Sequence, residues 1–218
     1  MARFNYINKL KCNLAFTALF CLLMGAHADA QASHTILILG DSLSAEYGLV
    51  HGSGWVNLLE KQLQKEASPW NVFNASISGE TSAGGLNRLP SLLEKKKPGL
   101  VIIELGANDG LRGLPVAASD KNLQKMIVMS KQSGAKVLLI GIQLPPNYGQ
   151  DYTRQFASMF SRLAKTEGTA FLPFFLTGVI DKPELFQADR MHPNERAQII
   201  LFKNVWGALA PYYDLLQK

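Results

Sequence analysis

A serine that follows a short apolar run is the first residue of this chain that could do chemistry. The run Thr35-Ile36-Leu37-Ile38-Leu39 ends at Gly40-Asp41-Ser42. A continuous apolar run of about five residues, closed by a glycine, is typical of a strand that is covered on both faces. A side chain just beyond the carboxyl end of such a strand lies where open α/β sheets bind ligands. Ser42 is therefore a candidate nucleophile, although Gly-Asp-Ser is also typical of a plain turn with a capping side chain.

A serine hydroxyl attacks an acyl carbon only when a base takes its proton, and histidine is the usual base. His51 follows Ser42 closely, but it lies in a glycine-rich loop where we expect it to be exposed. His192 follows Asp189 by three residues, at the entrance to the last predicted helix. In a turn, that spacing lets the carboxylate accept the imidazole Nδ1 hydrogen and leaves Nε2 as the proton acceptor. The same spacing is also compatible with a capped turn beside a surface histidine.

Acyl transfer also needs donors directed at the oxygen on which negative charge develops. Gly79 offers a backbone N–H that no side chain shields, and Asn108 offers a side-chain amide at the end of a predicted strand. The backbone N–H of Ser42 is a third candidate. Losing one such donor typically costs about 3 kcal/mol of transition-state stabilisation. Each of these residues is unremarkable alone, so their value depends on whether the fold brings them together.

The hydrophobic pattern predicts strands that alternate with helices along the chain. We expect strands over 35–39, 70–75, 100–105, 136–140 and 170–172, and helices over 55–63, 82–96 and 115–133, from 151 or 153, and from 194. Residues 106–110 and 143–149 are expected to be polar turns or irregular loops. This order predicts a three-layer α/β/α sandwich with a five-stranded parallel sheet, of the flavodoxin-like kind. Right-handed crossovers then place all the strands' carboxyl ends at one edge, together with Ser42, Gly79 and Asn108.

The amino-terminal segment has the features of a secretory signal peptide. Basic residues precede an apolar run over 14–24, which is followed by Ala26-His27-Ala28. We predict a signal peptide over 1–28, cleaved after Ala28 or else after Ala30, and a single domain over 29–218. The apolar run is shorter than the roughly 20 residues of a membrane-spanning helix, so no stable membrane insertion is expected after cleavage. The predicted location is periplasmic or secreted.

Composition excludes several other classes of function. Both cysteines, Cys12 and Cys21, lie in the segment that is removed, so the predicted mature chain has no disulfide and no thiol nucleophile. Removing Arg3, Lys9 and Lys11 leaves +2 of the formal net charge of +5, which demands no nucleic-acid partner. The chain contains no HExxH pair, and we predict no metal and no cofactor. With 218 residues, 47% of them hydrophobic, the chain can bury a full core, and we expect a monomer.

Four sequence blocks together resemble those of the SGNH (GDSL) hydrolases, in particular the bacterial periplasmic group of thioesterases, lysophospholipases and arylesterases. The blocks are Gly40-Asp41-Ser42-Leu43-Ser44, Gly79 within residues 74–81, Gly106-Ala107-Asn108-Asp109, and Asp189-Arg190-Met191-His192-Pro193. The resemblance implies that Ser42 is the nucleophile, His192 the base and Asp189 the acid that orients it. It also implies an oxyanion hole made of the Ser42 N–H, Gly79 and Asn108, with no metal or cofactor.

The resemblance also bears on the substrate, a small-molecule acyl ester or thioester such as a lysophospholipid or an aryl ester. It suggests that the loop with Leu144, Pro145 and Tyr148 lines an acyl-binding groove, to which Leu111 and Leu114 could add, although such loop residues more often only pack. Residues 46–52 form a longer loop than the resemblance leads us to expect. Two alternatives stay open, a carbohydrate-deacetylating esterase of the same superfamily and a non-catalytic flavodoxin-like module that binds phosphate at the Ser42 turn.

Overall fold

Five parallel strands form one sheet in the computed structural model, which describes residues 33–218. The strand order is β2-β1-β3-β4-β5, and every neighbouring pair is parallel. The strands are β1 Ser33–Gly40, β2 Asn71–Asn74, β3 Pro98–Glu104, β4 Lys136–Ile140 and β5 Ala170–Leu172. The predicted five-stranded parallel sheet is confirmed, and three of its strands match the predicted ranges closely.

Helices connect the strands and cover the sheet. The helices of the described residues are α1 Trp55–Lys65, α2 Ser82–Lys96, α3 Ala107–Leu111, α4 Val116–Gln132, α5 Gln150–Glu167, α6 Glu195–Ala208 and α7 Tyr213–Leu216. Helix α1 packs against α6, while α4 packs between α2 and α5. This arrangement is the predicted three-layer α/β/α sandwich.

The two central strands explain why continuous apolar runs form this sheet. Residues 36–39 of β1 and 100–103 of β3 are completely buried, because helices cover both faces of a parallel sheet. From β1 the chain crosses to β2 on one side of β1, and from β2 it crosses back to β3 on the other side. In a sheet of order 2-1-3-4-5, this reversal opens a crevice at the carboxyl ends of β1 and β3. Ser42 and Asn108 follow these two strands directly.

Two segments that we expected to be irregular contain short helical structure. Residues 107–111 form the helix α3, in which the Gly110 N–H donates to the Gly106 carbonyl at 3.0 Å. Its Asp109 is buried and accepts the Ser82 N–H at 2.8 Å, a long-range contact that no local pattern reveals. In the loop 143–149, Pro146–Tyr148 form a single 3₁₀ turn that begins with a proline, whose fixed φ suits that position. The prediction of no regular structure is wrong at both places.

The predicted signal peptide, its two cleavage sites and both cysteines lie outside the described residues. The described residues form one compact unit. Within residues 33–218, none of the helices combines the length and the hydropathy that crossing a bilayer requires.

Candidate active site

A serine, a histidine and an aspartate form a continuous hydrogen-bonded row at the carboxyl end of the sheet. The Ser42 Oγ lies 2.9 Å from His192 Nε2, and His192 Nδ1 lies 2.7 Å from Asp189 Oδ2. A carboxylate can only accept, so Nδ1 carries the hydrogen and Nε2 faces the serine with its lone pair. The row can therefore move a proton from the hydroxyl to the imidazole, while the carboxylate stabilises the resulting cation.

The turn that carries Asp189 fixes the direction of the imidazole. Asp189 Oδ1 accepts the backbone N–H groups of Met191 at 2.9 Å and of His192 at 3.0 Å, so Oδ2 remains for the ring. The His192 N–H is the main cause that lowers the pKa of Asp189 to about 2; partial burial acts in the opposite direction, and the Met191 N–H and the imidazole lower it further. The carboxylate is thus ionised throughout the neutral range.

Asp41 shapes the turn that presents the serine. Its Oδ1 accepts the Leu43 N–H at 3.0 Å, and its carbonyl accepts the Ala45 N–H at 2.9 Å. The side chain is almost completely buried, and this burial raises the pKa of Asp41 to about 6 against the opposing effects of the Leu43 N–H, His192 and the Asn108 amide. Asp41 therefore organises the backbone of the turn that carries Ser42 and is a structural member of the site.

A second buried carboxyl group, Glu104, lies behind the serine turn. Its Oε2 accepts the Ser44 hydroxyl at 2.7 Å and the Asp41 N–H at 3.3 Å, and the Trp55 Nε1 hydrogen is directed to the Ser44 oxygen at 3.3 Å. Complete burial and the nearby Asp41 charge raise the pKa of Glu104 well above its usual range, although both hydrogen bonds act in the opposite direction. Two adjacent carboxylates in an apolar core are costly, so the pair favours holding a proton.

Gly40 allows this close approach between the serine turn and Glu104. It pairs with Glu104 in the β1–β3 register, and a Cβ at this position would lie 2.8 Å from the Ser44 Cβ and 2.9 Å from Glu104 Oε2. Any larger residue would push the turn away from the strand. The glycine of the Gly-Asp-Ser block is thus required by packing.

Gly79 lies beside the serine with a backbone that favours glycine. Its φ of +80° is in the left-handed region, where a Cβ is strained. The Arg112 guanidinium donates to the Gly79 carbonyl at 3.0 Å and so ties this loop to the residues after α3. Gly79, Ser42 and Asn108 all line the same cavity, which brings the three predicted donors to one place.

Asn108 has both of its amide hydrogens engaged. Nδ2 donates to Asp41 Oδ2 at 3.1 Å and to the Glu80 carbonyl at 3.0 Å. These bonds fix the amide at the edge of the cavity. They also mean that donation to a substrate oxygen requires one hydrogen to be shared between two acceptors, an arrangement that the sequence did not suggest.

A cavity of about 650 Å³ opens in front of the serine, a size typical of small-molecule sites. Its wall is mostly apolar and comes from the serine turn, α3, the loop after β4 and the segment between β5 and α6. Apolar wall residues include Leu111, Ile142, Leu144, Pro145, Leu176, Ile180 and Phe186. Such a wall suits a hydrocarbon chain that lies beside a polar reaction centre.

Three of the five predicted groove residues, Leu111, Leu144 and Pro145, line this cavity, whereas Leu114 and Tyr148 do not. The Leu114 side chain is exposed. The Tyr148 hydroxyl donates to the Leu111 carbonyl at 3.0 Å, so Tyr148 supports the wall from behind. The sequence pattern identified the apolar loops but did not predict which of their side chains point into the cavity.

The loop over residues 46–52 forms part of the cavity mouth. The Glu46 carboxylate accepts the N–H groups of Gly52 at 3.0 Å and Gly54 at 2.6 Å, which closes the loop on itself. His51 is fully exposed with Nδ1 at 3.2 Å from Glu46, away from the serine, as expected for a histidine that is not the base. Tyr47 instead packs its ring on His192, with centroids 4.5 Å apart.

Several members of the site were not identified from the sequence. No local sequence pattern includes Tyr47 or Gln187, although both contact the site. Glu104 did give a visible signal, because it is a carboxylate inside an apolar run. Gln187 links two loops, since its Nε2 donates to the Tyr47 carbonyl at 2.8 Å. Among residues 33–218, no three His, Cys, Asp or Glu side chains are grouped so that they could hold a metal ion.

Comparisons with known proteins find relatives over most of the chain. The model of the GDSL-like lipase/acylhydrolase family matches residues 38–198. Esterase TesA of Pseudomonas aeruginosa is 50% identical over 191 residues, which are 88% of this chain and 95% of that protein. Thioesterase 1/protease 1/lysophospholipase L1 of Escherichia coli K12 is 42% identical over 194 residues, or 89% and 90% of the two chains. The crystal structure of the psychrotrophic esterase EstA from Pseudoalteromonas, inhibited by monoethylphosphonate, is 42% identical with a TM-score of 0.79, over 84% of this chain and all of that one.

Proposed function

Because the chain belongs to the GDSL-like lipase/acylhydrolase family, we propose that Ser42 is the nucleophile with which it hydrolyses acyl esters and thioesters. Relatives named esterase and thioesterase support this class of reaction. The observation that carries the assignment is the row of two short hydrogen bonds from Ser42 Oγ through His192 to Asp189, at 2.9 and 2.7 Å.

The proposed reaction has two steps, acylation of Ser42 and hydrolysis of the acyl-enzyme. Ser42 Oγ attacks the acyl carbon while His192 Nε2 takes the hydroxyl proton, and the carbonyl oxygen becomes an oxyanion. The C–O or C–S bond then breaks, and the proton on Nε2 passes to the leaving oxygen or sulfur. Water attacks the acyl-enzyme in the second step and gives its proton to Nε2, which returns it to Ser42 as the free acid leaves.

The developing oxyanion needs hydrogen-bond donors, and the three candidate donors line the same cavity as His192. We assign this role to the backbone N–H groups of Ser42 and Gly79 and to the Asn108 amide. Asn108 shares one hydrogen between its present acceptor and the oxyanion, so its bond to Asp41 or to the Glu80 carbonyl lengthens in the transition state. Donors that are already fixed in place cost little reorganisation at that moment.

The apolar cavity supports acyl chains longer than acetyl as substrates. Each methylene that leaves water contributes about 0.8 kcal/mol, or about fourfold in affinity. An acetyl-sugar substrate would leave most of the apolar wall without contact, so the structure favours lipid-like and aryl esters over carbohydrate deacetylation. A module that only binds phosphate would not require the hydrogen bonds that link Ser42, His192 and Asp189.

We also propose export and a monomeric functional unit. The predicted signal peptide over 1–28 would separate the enzyme from cytosolic acyl thioesters, which makes lysophospholipids and external small esters the more suitable substrates. All the residues assigned here come from one chain, so the site needs no second copy. Amino-terminal sequencing of the exported protein should begin at Asp29 or Gln31; a start at Met1 would contradict the export proposal.

A rate profile over p-nitrophenyl esters from acetate to palmitate tests the proposed function, together with a lysophospholipid and an acyl thioester. We expect kcat/KM to rise with chain length beyond acetate and Ser42→Ala to abolish turnover. Ser158→Ala serves as the matched control, because it removes an exposed serine hydroxyl on helix α5. Turnover that survives in Ser42→Ala, or a clear preference for acetate, would contradict the proposal.

A further inference from the structure

The first of the two residues between Asp189 and His192 has an unfavourable backbone conformation. Arg190 has a φ of +56°, in the left-handed region that disfavours a long side chain. The turn imposes this conformation, because the Arg190 N–H donates to the Gln187 carbonyl at 2.9 Å while the next two N–H groups bind Asp189. Glycine would fit here without strain, so the arginine calls for an explanation in terms of its side chain.

The charge of the cavity is the second observation. Asp41, Arg190 and His192 are the charged or basic residues of its wall. Asp41 is buried and directed to backbone and amide donors, and both nitrogens of His192 are hydrogen-bonded. Arg190 is exposed, and within the described part of the chain no carboxylate lies within 4.0 Å of its guanidinium. It is thus the permanent, solvent-facing charge of the cavity wall.

The direction of the reaction places this charge at one end of the substrate. His192 gives its proton to the leaving atom, so the leaving group must pass beside Nε2. Tyr47 packs on the imidazole ring, and Met191 precedes His192 directly; both line the cavity and are about half exposed, at 50% and 55%. Arg190 directly precedes Met191 and lines the same cavity, so it belongs to the part of the wall that carries His192.

We propose that Arg190 is a specificity-determining residue that binds a phosphate carried by the leaving group, with Tyr47 and Met191 as its apolar neighbours. This inference rests on the proposed function. In a lysophospholipid the phosphate lies a few bonds from the leaving oxygen, whereas in acyl-coenzyme A the pantetheine arm separates the first phosphate from the leaving sulfur. The guanidinium matches a phosphate in charge and geometry, whereas a neutral alcohol would leave it without a partner.

The test compares pairs of substrates that share one acyl chain. Dodecanoyl-glycerol-3-phosphate is paired with dodecanoylglycerol, and dodecanoyl-coenzyme A with the dodecanoyl thioester of N-acetylcysteamine. The measured quantity is the ratio of kcat/KM for the phosphate-bearing substrate to that for its neutral partner. If the ratio depends on Arg190 only in the first pair, the phosphate that Arg190 binds is that of glycerophosphate. If it depends on Arg190 only in the second pair, the phosphate is that of the coenzyme.

We expect Arg190→Asn to lower this ratio about fivefold, the upper end for a solvent-exposed ion pair, mainly through a higher KM. Arg190→Lys should keep most of the preference, and 0.5 M NaCl should reduce it in the wild type but not in Arg190→Asn. Arg190→Gly should show the same loss of preference and an equal or higher midpoint of thermal unfolding, because it removes the left-handed strain. Arg196→Asn, which removes another exposed positive charge, in the first turn of α6, should keep the wild-type ratio.

A ratio that is equal in the wild type and in Arg190→Asn would overturn the inference, as would an equal fall for Arg196→Asn. Either result would leave the proposed function intact, since the neutral esters would still be hydrolysed. Failure of the wild type to hydrolyse any of the four substrates would instead refute the proposed function itself.

Discussion

Replacing Asp189 with asparagine removes one charge and one acceptor from the hydrogen-bonded row that we propose activates Ser42. In the native turn, Oδ1 binds two backbone N–H groups and Oδ2 binds the Nδ1 hydrogen. An asparagine can still serve the two backbone donors with its carbonyl oxygen, so we expect the turn to fold. Its NH₂ group would then face Nδ1, which favours the tautomer with the hydrogen on Nε2. That tautomer cannot accept the serine proton, and by analogy with other triads we expect acylation to fall about 10⁴-fold.

The effect of Asp189→Asn on stability should be small and should depend on pH. The fall of the Asp189 pKa from 3.8 to about 2 would be worth about 2.4 kcal/mol for a shielded group, but 39% of the side chain is exposed, so we expect about 1 kcal/mol. Since the folded-state pKa is the lower one, this stabilisation is present above pH 4 and is lost as the pH falls through 2. Urea unfolding at pH 7 and at pH 2 should show the difference at pH 7 only.

Single-turnover acylation by a p-nitrophenyl ester separates the chemical step from product release. Asp151→Asn is the matched control, because Asp151 is an exposed aspartate paired with Arg154 on the surface of α5. We expect that control to acylate at the wild-type rate. If Asp189→Asn kept a tenth or more of the wild-type rate, the role of the carboxylate in orienting the imidazole would be refuted.

Three further predictions address the proposed oxyanion donor Asn108, the proposed proton acceptor His192 and the buried carboxyl pair Asp41 and Glu104. Asn108→Ala should lower kcat about 10²- to 10³-fold in steady-state assays with little change in KM, since the lost bond strengthens in the transition state; an effect confined to KM would contradict this. His192→Ala should lower kcat/KM by several orders of magnitude, because Ser42 then has no base that accepts its proton, and near-normal turnover would count against His192. The pKa values of Asp41 and Glu104 are raised in the folded state, so the free energy of unfolding should fall between pH 5 and pH 8 as the folded protein loses protons that it holds more tightly than the unfolded chain does. Glu104→Gln should make this fall smaller. An unchanged pH dependence in urea unfolding would argue against a proton shared by the two carboxyl groups.

Local sequence patterns were sufficient for most of the fold. The apolar runs located the strands, and the helix Ser82–Lys96 begins after Thr81, whose hydroxyl accepts the Gly84 N–H as an N-cap, and ends where the predicted range ends. Strands Lys136–Ile140 and Ala170–Leu172 also match. These elements are encoded by periodicity and capping, which act over a few residues.

The parts that could not be predicted depend on contacts between distant residues. Asp41 and Glu104 are 63 positions apart, and only the pairing of Gly40 with Glu104 in the sheet brings them together. The helix at 107–111 depends on Asp109, which binds a serine 27 positions away. The cavity wall depends likewise on how loops fold back, and that is why Leu114 and Tyr148 do not line it. A one-dimensional pattern specifies which side chains are available but not which ones meet.

The central claim is that Ser42 forms a covalent acyl intermediate, and active-site labelling tests it most directly. A fluorophosphonate probe reacts with an activated serine, and digestion followed by mass spectrometry identifies the modified peptide. We predict one equivalent of label, on the peptide that contains Ser42, in the wild type and in Ser158→Ala, and none in Ser42→Ala. Label on any other serine, or equal labelling of Ser42→Ala, would contradict the account.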